Sequence, residues 1–262
     1  MTVPDEIVRA AAERLQEAAE TSIPCEPVRD LLGSSDIALA YRVQQRLTER
    51  RVAGGARIVG RKIGLTSAAV QEQLGVDQPD FGVLFDDMVC GQDGVVPSGR
   101  LMQPKAEAEI AFILSTDLDD DAPDIGRARN AIAYAVAALE IVDSRVRDWD
   151  IRITDTVADN GSSGMFVLGS KPVKLTDFEP AEVVMSLTKD GTVASTGTGD
   201  ACLGDPLAAF VWLARAARHY GSPLRAGDVV LSGALGPMVP VASGSRIVAD
   251  FTALGEVSAT FS

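Results

Sequence analysis

The segment Gln103-Pro104-Lys105-Ala106-Glu107-Ala108-Glu109-Ile110-Ala111-Phe112-Ile113-Leu114 constrains this chain more than any other. Its alternation predicts a strand with Ala106, Ala108, Ile110, Phe112 and Leu114 on one face. Lys105, Glu107, Glu109, Ala111 and Ile113 share the other face. Beyond the glutamates the strand is apolar on both faces, so that end belongs in a core. Two carboxylates two residues apart on one face repel each other, and near a core they need a cation or a proton. Two readings fit this pattern. In one, the strand end is solvated and Lys105 pairs with a glutamate; spacing alone favours this. In the other, a hard divalent ion such as Mg2+ or Mn2+ gathers the carboxylate oxygens.

The 262 residues suffice for one large domain or for a domain with an added helical lobe. With 46% hydrophobic and 23% charged residues, the composition is that of a globular protein. A net charge of −13 with no lysine- or arginine-rich block argues against nucleic acid or an anionic membrane as partner. Cys25, Cys90 and Cys202 are scattered and form no C-x-x-C pair, which fits a reducing cytoplasm and offers no thiolate metal site. Met1 to Glu6 has neither a basic nor an apolar signal region. The longest uncharged run, Val229 to Ser245, is broken by glycines, prolines and serines. A soluble cytoplasmic protein is expected.

Pro4, Asp5 and Glu6 open a helix with Ile7, Ala11, Leu15 and Ala18 inward, and Pro24 closes the region. A second helix begins near Ser35, turns Ile37, Ala40, Val43 and Leu47 inward, and ends before Gly54-Gly55. Its basic cluster Arg46, Arg50 and Arg51 reads as a solvated face. Arg57 to Leu65 reads as a strand in which Gly60 and Gly64 flank Lys62, leaving space beside the lysine stem. That lysine faces either a ligand or solvent. A short helix from Ser67 to Leu74 and a loop from Val76 to Gly82 follow.

Asp117 to Asp124 lacks the turn glycine and the bidentate glutamate of a calcium loop and reads as a solvated loop. A helix from Ile125 to about Ala138 is expected next, leading to Glu140 in an apolar run. Such an acid is costly to bury unless it is paired or coordinated. Asp155 to Gly164 reads as a polar, glycine-rich loop before a strand from Met165. A hairpin is expected around Asp190-Gly191. Gly197-Thr198-Gly199 lacks the third glycine and the βα unit of a dinucleotide site. Asp205-Pro206 opens a helix whose basic end includes His219, the single histidine. Strands follow at Asp228–Ser232, Arg246–Phe251 and Glu256–Thr260. The elements predict a β-rich core with an N-terminal helical lobe.

Several motifs, in order, resemble one family. They are Gly60-Arg61-Lys62-Ile63-Gly64-Leu65-Thr66, Gln78-Pro79-Asp80-Phe81-Gly82, Ala106-Glu107-Ala108-Glu109-Ile110, Glu140-Ile141-Val142-Asp143-Ser144-Arg145 and Asp155-Thr156-Val157-Ala158-Asp159-Asn160. They resemble the 2-keto-4-pentenoate hydratases, which with the 4-oxalocrotonate decarboxylases form a branch of the fumarylacetoacetase-like superfamily. The resemblance extends to Gly227–Leu235, nearly the whole chain. It implies an α+β fold, a mixed β-sandwich or roll, with residues 1–56 as a helical lobe and 57–262 as the catalytic domain.

The resemblance further implies that Glu107, Glu109 and Glu140 hold Mg2+ or Mn2+. Lys62 and Asp80 match the acid/base groups of the hydratases, and either Ser162 or Ser163 matches a serine of the substrate pocket. The implied reaction is hydration of 2-hydroxypenta-2,4-dienoate to 4-hydroxy-2-oxopentanoate in the catabolism of aromatic compounds. A homo-oligomer is expected, and association with a neighbouring enzyme of the pathway is a further expectation. The main rival is the decarboxylase, whose dicarboxylate substrate calls for an added basic group deep in the pocket. The uncharged loop Gly233–Pro240 looks more like the hydratases. A C–C bond hydrolase would rest on His219, already explained by its helix end. A non-catalytic relative would have no reason to keep the acidic trio together with Lys62 and Asp80.

Overall fold

The computed structural model describes residues 3–67, 71, 76, 78–91 and 94–262. The helix expected from Ser67 to Leu74 lies outside them, apart from Ser67 and Gln71. In chain order the first six strands are β1 (Ile58–Gly64), β2 (Asp80–Phe85), β3 (Val95–Val96), β4 (Lys105–Leu114), β5 (Ile132–Val142) and β6 (Ser163–Leu168). The second six are β7 (Val184–Lys189), β8 (Thr192–Thr198), β9 (Val229–Leu231), β10 (Val239–Pro240), β11 (Arg246–Phe251) and β12 (Gly255–Phe261).

A seven-stranded sheet runs in the order β2-β1-β9-β4-β5-β6, with β10 also paired to β4. A five-stranded sheet runs β3-β12-β11-β7-β8. The larger sheet curls until its two ends meet, for Val89 bridges Phe166 and the Cys90 N–H donates to the Phe166 carbonyl at 2.9 Å. The fold is thus mixed helix and strand with curled sheets, as the sequence implied.

β4 is an interior strand, antiparallel to β5 along its whole length and to β9 on the other side. Ala106, Ala108, Ile110, Phe112 and Leu114 are all buried, and so is Ala111 on the opposite face. The segment after Asp124 departs from expectation. A helix covers only Ile125–Ala131, and Ile132 to Ala138 belongs to β5. Alanine is the strongest helix former, but propensity yields to tertiary context, and this apolar run pairs with β4 along its length and on its other side with Val173 at Ala135 and with β6 from Ala138. The expected loop from Asp155 is also corrected. Ile153–Ala158 is a helix with every residue buried, followed by a tight turn over Asn160–Ser162. Its polar residues are tolerated because they are bonded: Asp155 accepts from the Arg29 guanidinium at 2.7 Å and from the Arg29 N–H at 2.8 Å.

The helices Val3–Thr21 and Ile37–Ala53 pack against each other, and the second also packs on Ile153–Ala158. Asp36 caps the second by accepting from the Leu39 N–H at 2.9 Å. One apolar core continues from Val8, Leu15 and Val43 through Phe81 to Phe112 and Phe210. Arg51 is not simply solvated, since its guanidinium lies 4.0 Å over the Phe85 ring and it pairs with Asp87. The acidic loop is ion-paired: Asp117 with Arg225, Asp119 with Arg218, Asp120 with Arg127. In the β7–β8 hairpin, Asp190 and Gly191 take the φ values of 51° and 81° that a tight primed turn requires. Asp205 caps the helix Pro206–His219, and His219 sits exposed at its end. Among the described residues no helix is long and apolar enough to cross a membrane.

Candidate active site

The register of β4 against β5 places Glu107 opposite Glu140, and Glu109 follows on the same face of β4. One carboxylate oxygen from each of the three lies within 4.8 Å of the others. Glu109 and Glu140 are fully buried, while Glu107 is partly open to a cavity of about 900 Å³. Lys62 projects from β1 into the same region, its Nζ 3.3 Å from Glu140 Oε1. The glycines beside Lys62 do more than leave room for its stem. A Cβ on Gly60 would lie 1.8 Å from the Val229 carbonyl oxygen, so β9 can approach β1 only because that position is glycine. A Cβ on Gly64 would lie 2.1 Å from Asp80 Oδ1, and one on Gly161 2.7 Å from Lys62 Cε.

Asp80 opens β2 opposite Gly64. Its Oδ2 accepts from the Thr156 hydroxyl at 3.3 Å, and Oδ1 has no hydrogen-bond partner among the described residues. Thr156 and Ser162 approach each other at 3.4 Å, and both line the cavity. Of the two candidate serines, Ser162 therefore faces the cavity. Ser163 Oγ is turned toward Gly82. Asn160 fastens this turn to β2, accepting from the Val83 N–H at 2.7 Å and donating to the Val83 carbonyl at 2.9 Å. His219 is absent from the cavity wall.

Burial dominates the electrostatics. It pulls the Lys62 ammonium down, but Glu140, Asp80, Glu107 and Glu109 outweigh it and hold the lysine charged. Burial pushes the Asp80 carboxyl above its ordinary range, with Lys62 and the Thr156 bond opposing. Glu109 is raised by burial and then by Glu140 and Glu107, and Glu107 is pushed up to about 7 by burial and Glu140. Glu140 is raised by burial against the pull of Lys62. One lysine thus faces four acids. Glu109 Oε1 and both oxygens of Glu140 lack a hydrogen-bond partner of good geometry among the described residues. Buried carboxylate oxygens without donors, all-oxygen and converging, form the donor set that a hard divalent cation takes.

Sequence reasoning missed three features. Lys105 does not pair with a glutamate; its Nζ stands 4.1 Å over the Trp149 ring, and among the described residues it forms no ion pair. Burial pulls its ammonium down, against Glu107. Thr156 was visible in its motif but not as the partner of Asp80. Arg145, in the motif after Glu140, has no role that sequence assigns, and it is the donor that ties Asp159, Asp143 and Ser163 together.

Residues 58–262 match the family described as fumarylacetoacetate hydrolase, C-terminal. The chain belongs to this family. Within it, the chain is 52% identical over 257 residues to a 2-keto-4-pentenoate hydratase of Burkholderia vietnamiensis, covering 98% of each. It is 38% identical over 259 residues to the 2-hydroxyhexa-2,4-dienoate hydratase of Comamonas testosteroni, again covering 98% of each. The structure of 4-oxalocrotonate decarboxylase from Pseudomonas putida G7, complexed with magnesium and adipate, superposes with a TM-score of 0.93 at 33% identity and 98% coverage of both chains. The family resemblance read from the motifs is correct, and full-length relatives at about half identity are hydratases.

Proposed function

We propose that this chain is a divalent-metal-dependent hydro-lyase that converts 2-hydroxypenta-2,4-dienoate (2-oxopent-4-enoate) to 4-hydroxy-2-oxopentanoate in the catabolism of aromatic compounds. The observation that carries the reading is the convergence of three carboxylates, two of them with buried oxygens that lack a hydrogen-bond partner of good geometry, beside a cavity lined by Glu107, Lys62 and Asp80. Glu107, Glu109 and Glu140 would hold Mg2+ or Mn2+, which when bound supplies Lewis acidity for the negative charge that develops on the substrate's 2-oxygen. Lys62, charged and immobilised between Gly64 and Gly161, neutralises enolate charge and passes a proton to carbon. Asp80 Oδ1, with no partner of its own, accepts the proton of the water that adds to C4. Thr156 orients that carboxyl, and Ser162 stands beside it at the cavity wall. A homo-oligomeric state, a cytoplasmic location, association with a neighbouring pathway enzyme, and the division into residues 1–56 and 57–262 belong to the same proposal.

Decarboxylation of 4-oxalocrotonate is the second reading, favoured by the basic groups at the cavity. Arg152, however, is exposed, and Lys105 lies beside the glutamates rather than far from them. The stretch Ala234–Met238, which lines the cavity, carries no charge. The close hydratase relatives tip the balance. The test is the ultraviolet absorbance of the dienoate. Purified protein with Mg2+ or Mn2+ should bleach it without gas release, and a chelator should stop this. Lys62→Ala and Asp80→Asn should each lower kcat by at least about 10²-fold while still binding metal. Untouched dienoate, with CO₂ evolved from 4-oxalocrotonate, would replace the hydratase by the decarboxylase.

A further inference from the structure

The cavity holds a second cation that the proposed chemistry leaves unused. Lys105 begins β4 on the face of Glu107, is half-buried, and pairs with no carboxylate among the described residues. Asp150, the acid on the same wall, is taken by Arg29 at 2.7 Å. What Lys105 does contact is the indole of Trp149, 4.1 Å away.

That indole is held at a cost to the backbone. Asp148 and Trp149 both take a φ of 56°, the left-handed region that side chains with a Cβ avoid. Gln103 secures the turn from three directions. Its Oε1 accepts from the Asp148 N–H at 2.8 Å, and its Nε2 donates to the carbonyls of Ser144 and Val146 at 2.9 Å. Its own carbonyl accepts from Trp149 Nε1 at 3.0 Å. An aromatic face steadies an ammonium without neutralising it, leaving the charge available to an incoming anion.

Register fixes which part of a substrate Lys105 meets. Along β4 the order is Lys105, Glu107, Glu109 and then Ala111, which is level with Lys62 through Leu231 of β9. The two lysines therefore enter from opposite ends of the glutamate row, the Lys62 ammonium reaching back along it to Glu140 at 3.3 Å. A 2-oxo acid held at the glutamates, with its reacting carbons toward Lys62 and Asp80, turns its C1 carboxylate toward Lys105. We propose that Lys105, presented by Trp149, is a carboxylate subsite that binds the C1 carboxylate of the substrate and so points its chain at Asp80. The proposal rests on the reading of the cavity as a site for 2-oxo and 2-hydroxydienoic acids.

The test is calorimetric binding of two unreactive probes, 2-oxopentanoate and 2-oxoadipate, to the Mg2+-loaded protein. Lys105→Met should weaken both by the same factor, at least about tenfold, as expected for a lost charge-assisted hydrogen bond. Lys105→Arg should recover part of that loss. Mg2+ affinity should not fall, since removing a cation cannot weaken cation binding through charge. Unchanged affinity for both probes would overturn the proposal. A loss confined to 2-oxoadipate would also overturn it, by assigning Lys105 to a distal carboxylate. A parallel fall in Mg2+ affinity would make Lys105 a support of the glutamates instead. Failure of the hydratase reading looks different: the wild type would leave the dienoate unchanged and yet show the full probe-binding pattern.

Discussion

Two groups of buried charge lie close together in this chain and are built in opposite ways. Around Arg145 every charge is answered. Its Nε and backbone N–H donate to the Asp159 carboxylate at 2.5 and 2.9 Å, and the rest of the guanidinium donates to the carbonyls of Asp143, Ser163 and Asp159. Asp143 in turn accepts from the N–H groups of Met102 and Gln103. Around Glu140 the charges are unbalanced: Lys62 alone answers Glu140 Oε1, and Asp80 Oδ1, Glu109 Oε1 and Glu140 Oε2 are left without donors. Each such buried oxygen costs about 1–3 kcal/mol. A fold that can close one cluster completely and leaves its neighbour open is holding the second for something from outside the chain.

The comparison breaks first at Arg145. Arg145→Met strands Asp159 in the core and should cost about 3–5 kcal/mol, read from the urea midpoint at unchanged slope. A cost no larger than that of a surface substitution would mean the closed cluster is not structural. The open cluster should respond to a cation instead. Mg2+ or Mn2+ at about 100 times its Kd should raise unfolding stability by about 2.7 kcal/mol, reversibly with a chelator. Glu107→Ala should shrink that gain, because two carboxylates remain. No stabilisation by any divalent ion would remove the metal from the reading. The smallest effect has the most telling sign. In chelator, Glu109→Gln should raise the melting point, by up to about 1 kcal/mol in stability, since it relieves repulsion and its amide oxygen can still accept from the Gly233 N–H. A destabilised variant would show that Glu109 is already satisfied.

Much of this could be read from residues alone, for reasons that differ by element. The Lys105–Leu114 strand, the Asp190-Gly191 hairpin and the Asp205-capped helix were legible because period, turn chemistry and capping are local. β5 was not, because only its neighbours β4 and β6 decide that an alanine-rich run extends. With β5 misread, Glu140 stood out as a costly acid, but its place opposite Glu107 was hidden. The glycines around Lys62 read as open space beside its stem, yet the β9 backbone packs on Gly60 and the Asp80 carboxylate on Gly64, both distant in sequence. Asp80 and the serine pair came only from the family resemblance, and Ser162 was separated from Ser163 by a turn with φ of 53° that no pattern announces. The Lys105–Trp149 contact joins two elements through a strained loop, so nothing local could foretell it.

The position of β9 bears on how the protein is made. On the ribosome, Lys62 and the three glutamates emerge long before Val229, the first residue of the strand that lies between β1 and β4. Until that short strand arrives, β1 and β4 keep unpaired edges where it will lie, and pairings of such large sequence separation form late. The nascent chain thus carries Lys62 and the three glutamates on separate pieces of sheet. The pieces join when Leu231 pairs with Lys62 on one side and Ala111 on the other. The site comes together only once Leu231 has been made, and until then the chain needs protection at those edges rather than a metal or a substrate.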